Sequence, residues 1–108
     1  MRHSPPTWPR DEVAALVAEL VRRPSPSGKE AAVAAYIAAW LRDAGIAADL
    51  VDTAPGRPNV TAEVSRGTSG RSLLFFGHTD TALPTEGWLT DPYAPQHRDG
   101  RLVGLGAQ

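Results

Sequence analysis

The stretch SLLFFGHTD, residues 72–80, carries the decision about the fold. Residues 72–76 form an apolar run without alternation, as expected of a strand in the middle of a sheet that is covered on both faces. The run ends at Gly77, where a missing Cβ allows a bend or a close approach of another group. His78 and Asp80 follow. In extended chain, residues two apart share a face, so an imidazole and a carboxylate would stand together at the strand's carboxyl end. In α/β sheets ligands gather at that edge. A neutral imidazole can give one nitrogen to a metal while a carboxylate accepts the other N–H and orients the ring. The same three residues also suit an ordinary turn with a hydrogen-bonded histidine, and Thr79 and Thr81 suit turn hydroxyls.

Upstream, the period is helical. Val13, Leu16, Val17, Leu20 and Val21 fall on one stripe, with Asp11 and Glu12 in the first turn and Arg22 and Arg23 in the last, both matched to the helix dipole. Pro24 ends that helix. In the loop that follows, Ser27 and Glu30 have the spacing of a capping box. Val33, Tyr36, Ile37, Trp40 and Leu41 repeat the stripe in a second helix, which Gly45 closes as the C′ residue. Residues 46–52 then read as a strand, PGRPN (55–59) as a turn, and VTAEV (60–64) as a strand covered on one face through Val60, Ala62 and Val64. Downstream of Asp80 the chain is rich in Pro and Gly until Asp99-Gly100, a strong hairpin signal, and the short strand RLVG. The predicted fold class is α/β, with two amphipathic helices followed by the strands of a mixed sheet. Residues 1–9 are a proline-broken lead-in, and 10–108 form one folded portion.

Composition narrows the chemistry. With 11 Lys and Arg against 12 Asp and Glu, the net charge of −1 gives no basic field for nucleic acid. With no Cys, disulfides and thiolate metal sites are excluded, so any ion must be held by His and carboxylates. No apolar run reaches membrane-spanning length and the N-terminus lacks a signal-peptide core, so no membrane partner and a cytoplasmic location are expected. Of the other histidines, His97 falls in a hairpin arm and His3 in the lead-in; both read as solvated.

From Gly77 onward, GHTDTALPTEGWLTDPYAPQHRDGRLVGLGA resembles the metal-binding signature of the M20 metallopeptidase and amidohydrolase family. The matching residues are Gly77, His78, Asp80, Pro84, Trp88, Asp91, Pro92, Tyr93, Asp99, Gly100, Leu102, Gly104, Gly106 and Ala107. RRPSPSGKE and RPNV also look like the family's first interhelical loop and early strand, so the resemblance covers about residues 10–108. It implies the N-terminal part of a zinc-peptidase-like α/β/α catalytic domain. It also implies a hydrolase that cleaves the amide bond of a peptide or N-acyl amino acid with a metal-activated water. By resemblance, His78 is a ligand of one of two zinc ions, with cobalt or manganese as alternatives. Asp80 is the carboxylate that orients it, usually counted as catalytic, and the complete enzyme is a candidate homodimer.

The family's bridging aspartate, general-base glutamate and remaining ligands have no counterpart here. Gln108 stands one place before that aspartate, and Leu105 replaces an Arg frequent between the glycines. Catalytic zinc takes three protein ligands, so the chain alone is expected to be inactive, with 72–76 left as an apolar patch. The competing readings are a non-catalytic interaction domain on the same scaffold and, less well supported by the motifs, a phosphoesterase with Asp and His ligands.

Overall fold

The computed structural model describes residues 10–67 and 69–107. The expected lead-in 1–9, with His3, lies outside them. Among the described residues the elements are α1 (Arg10–Val21), α2 (Ala31–Asp43), β1 (Ala48–Ala54), β2 (Arg57–Ala62), β3 (Gln96–Arg98) and β4 (Arg101–Val103). The chain forms two compact units, one containing α1 with residues 84–107 and the other containing residues 24–83. Helices and strands are both present, as an α/β chain requires.

In the first unit α1 buries Ala18 and Val21, while Val13 at its start stays largely exposed. Arg22 and Arg23 lie just past the helix and both reach back to Glu19, at 2.6 and 2.9 Å. The hairpin forms where Asp99-Gly100 predicts it: Arg98 pairs with Arg101, and Asp99 and Gly100 both take positive φ (49° and 72°). That is the backbone demanded by the tightest hairpin turn, which Asp and Gly tolerate. Leu102 and Ala107 line an apolar depression with Val13 and Val17 of α1.

Gly104 packs tightly on the helix, for a Cβ added there would lie 2.6 Å from Val21 Cγ1. Gly104→Ala is therefore expected to cost about 1–3 kcal/mol, the usual penalty of overpacking. Combined with Val21→Ala, its cost should shrink, a coupling readable as non-additive urea midpoints.

In the second unit α2 packs on the antiparallel pair β1 and β2. Its buried residues are Val33, Ala34 and Ala38, with Ile37 and Leu41 half-covered. The inward face is thus turned from the expected stripe towards the alanines, and Trp40 is 45% exposed. Small side chains let the helix backbone approach the hairpin, a choice that hydrophobicity alone does not rank. The helix ends as expected: Gly45 (φ 81°) donates to Arg42 O and Ile46 to Leu41 O, satisfying two terminal carbonyls. Arg42 also donates to Ala48 O through Nε and Nη2, tying the helix end to β1.

Four expectations are corrected in this unit. PGRPN is not wholly a turn; only Pro55 and Gly56 turn, and β2 begins at Arg57 with Pro58 opposite Asp52. A proline is admissible there because a two-stranded ribbon consists of edges. The one-face cover expected over 60–64 falls instead on Pro58 and Val60; Ala62 and Val64 are exposed. The capping box does not form: Glu30, not Ser27, is the residue flanking α2, and no side chain caps it. Finally, residues 72–76 form no strand and pair with nothing among the described residues, and the described sheets are two antiparallel pairs, not one mixed sheet. Leu73, Leu74, Phe75 and Phe76 are 79–94% exposed. A doubly covered strand needs partners on both edges and layers on both faces, and among the described residues this segment has neither.

Candidate functional site

The site is built where the loop between α1 and α2 meets residues 79–81. Ser25 is buried and makes two bonds across 54 or more residues of chain. Its hydroxyl donates to Thr79 O at 2.8 Å, and its carbonyl accepts the N–H of Thr81 at 2.8 Å. Pro26 and Thr81 form a parallel bridge at the same place. These contacts hold the backbone around His78 and Asp80 even though residues 72–76 are unpaired.

His78 and Asp80 are brought together. Nδ1 of His78 lies 3.0 Å from Asp80 O and 3.1 Å from Asp80 Oδ1. A carbonyl oxygen can only accept, so Nδ1 donates here, and in the neutral imidazole Nε2 is the nitrogen with the lone pair. The imidazole is exposed, with 80% of its side chain accessible. Asp80 is half-buried; its other oxygen, Oδ2, accepts the hydroxyl of Ser27 at 2.7 Å. That hydrogen bond is the main cause holding the Asp80 carboxyl below its ordinary pKa, with smaller help from its own backbone N–H and from His78.

Beside this pair stands a second one. Glu30 is buried, accepts Gly28 N–H at 2.8 Å, and receives Nε and Nη2 of Arg57 at 3.2 and 2.5 Å. The Arg57 bonds, then that of Gly28, lower the Glu30 carboxyl to about 2. The Arg57 guanidinium is pushed the other way, chiefly by Glu30 and in small part by the charge of Asp80. Glu30, Arg57, Asn59, His78 and Asp80 line a cleft of about 730 Å³, whose apolar wall includes Ile37, Leu41 and Phe76.

Of the two uses expected for Gly77, the close approach is not made among the described residues, since a Cβ there would meet nothing within 4 Å. His97 sits exposed on β3, in the hairpin arm where it was expected. Ser25, Ser27, Glu30 and Arg57 are the residues that the sequence did not assign to the site. The serines and the glutamate lie in the PSPSGKE loop noted for its resemblance, but partners 27 to 56 residues away leave no local signal.

An ion would need more than the described residues bring together. Among the described residues, no three His, Asp or Glu side chains gather to hold a metal. One imidazole with an open Nε2 and a carboxylate engaged on both oxygens suit one corner of a metal centre, not a closed coordination sphere.

Comparison with known proteins points in one direction. No family model matches the chain. It is 35% identical to the succinyl-diaminopimelate desuccinylase of Paracidovorax citrulli over 100 residues, 85% of this chain and 26% of that protein. The corresponding desuccinylase of Methylibium petroleiphilum is 38% identical over 99 residues, 86% of this chain and 26% of the relative. The acetylornithine deacetylase of Vibrio campbellii is 36% identical over 84 residues, 77% of this chain and 22% of the relative. The chain spans about a quarter of the length of the curated relatives it matches.

Proposed function

We propose, from the premise that the chain's homologues are desuccinylases and deacetylases of the M20 family, that it belongs to a hydrolase of small acylated amino acids. The homologues cleave amide bonds in such substrates. The observation that carries the reading for this chain is His78, held by Asp80 at the wall of an open cleft, with Nε2 making no hydrogen bond among the described residues.

In this reading His78 Nε2 supplies one ligand to a zinc centre of two ions, and the other ligands come from elsewhere in the complete protein. Zinc supplies Lewis acidity and a nucleophilic water at neutral pH when bound. The chain's own part is positional. Asp80 accepts a hydrogen bond from Nδ1, which fixes the ring orientation. The residues of the cleft then form one wall of the substrate space. A cytoplasmic location and a homodimer belong to the same proposal; among the described residues, no helix is long and apolar enough to cross a membrane.

The test uses the complete protein and N-succinyl and N-acetyl amino acids. Hydrolysis should be abolished by a chelator and restored by zinc. His78→Ala should remove bound zinc and activity together, and Asp80→Asn should reduce either by roughly 10- to 100-fold, the usual size for a residue that orients a ligand. The 108-residue chain alone should release no product. A complete protein inert towards both substrates, or a His78→Ala variant with full metal content and rate, would overturn the reading.

A further inference from the structure

We infer that Ser27 is a positioning residue for the His78–Asp80 pair. This rests on the hydrolase reading for its purpose, but on geometry alone for its substance. A carboxylate has two oxygens and turns readily about its last bond. Ser27 Oγ engages Oδ2 at 2.7 Å, and Oδ1 lies 3.1 Å from His78 Nδ1. With Oδ2 held, the carboxylate cannot swing without losing a charge-assisted bond, so Oδ1 stays directed at the imidazole.

The placement of Ser27 does not depend on either side chain. Ser25 O to Thr81 N–H, Ser25 Oγ to Thr79 O, and the Pro26–Thr81 bridge register the loop two residues before Ser27 against the chain one residue either side of Asp80. The alternative use of Ser27, capping α2, is not made, since the helix has no side-chain cap. An exposed hydroxyl could bond to water at no loss, yet this one bridges 53 residues of sequence to a carboxylate. Asp80 thus orients His78, and Ser27 orients Asp80.

The imidazole tautomer reads this out without metal or activity. The chain has three histidines, and in the ¹⁵N-labelled 108-residue chain the exposed His97 serves as the internal reference for His78. In the wild type, the two ring nitrogens of His78 should show well-separated shifts, one protonated and one bare. In Ser27→Ala the Asp80 O contact remains but the directed carboxylate is lost. The tautomer ratio should therefore fall by up to about tenfold, the scale of one hydrogen bond to a charged acceptor, and the two shifts should move towards each other. Ser27→Thr, which keeps the hydroxyl, should restore the separation. Unchanged His78 shifts in Ser27→Ala, a wild-type His78 indistinguishable from His97, or failure of Ser27→Thr to restore would each overturn the inference. A complete protein that hydrolyses no acylated amino acid would overturn the functional reading and leave these shifts as they are, so the two failures are distinguishable.

Discussion

Replacing Arg57 with alanine is expected to unfold the α2–hairpin unit several degrees earlier than wild type, the largest stability effect among single side chains here. Glu30 is 5% exposed, and without Arg57 the backbone N–H groups of Gly28 and of Glu30 itself would be left to face its charge. A buried carboxylate stripped of its cation loses more than the pair contributed, because desolvation is left uncompensated. Arg57→Lys should recover only part of the loss, since an ammonium cannot reproduce the two bonds that Nε and Nη2 make. Thermal melts followed by helical circular dichroism would check both. The same pair sets an acid limit. The Glu30 carboxyl titrates at about 2 when folded against an ordinary 4.5. Because the folded value is the lower one, its contribution is complete above about pH 4.5 and declines as pH falls towards 2. In Glu30→Gln that part of the acid destabilisation should be absent, and an unaltered acid profile would contradict the assignment.

Substituting Leu74 and Phe76 together with threonine should lower binding of an apolar fluorescent dye several-fold, the largest expected change in solution behaviour. Four consecutive side chains from Leu73 to Phe76 are 79–94% exposed, a contiguous patch of the kind that soluble monomers rarely present. The backbone of these residues is also unpaired, so a second chain could add to it edge to edge. The double variant should remain monomeric to higher concentration in light scattering, with helical content unchanged because α2 buries Val33, Ala34 and Ala38 elsewhere. Equal dye binding and equal self-association would show that the patch is not what solvent meets.

These expectations divide according to what each residue could reveal in isolation. Both helices were legible because their apolar residues recur with the helical period and because Gly45 and Pro24 punctuate them. The β3–β4 hairpin was legible in two residues, Asp99 and Gly100, whose backbone freedom is a local property. The pairing of His78 with Asp80 was legible for the same reason: two residues apart in extended chain, they need no distant partner to meet. The capping box at Ser27 and Glu30 was a sound local pattern that lost to stronger distant partners. Ser27 found a carboxylate, and Glu30 a guanidinium.

The amino-acid sequence by itself determined where the helices and the tight turn lie and that His78 and Asp80 stand together, for these follow from interactions within a few residues. Tertiary structure decided the rest. It chose the alanine side of α2 as the buried face and extended β2 back through Pro58. It left residues 72–76 unpaired, and it joined Ser27 to Asp80 across 53 residues and Glu30 to Arg57 across 27. The physical reason is that a strand's burial and a side chain's partner are properties of what the chain closes against. Periodicity reports the appetite of a segment for burial or pairing, but only the closed loop between residues 25 and 81 determines which group satisfies it.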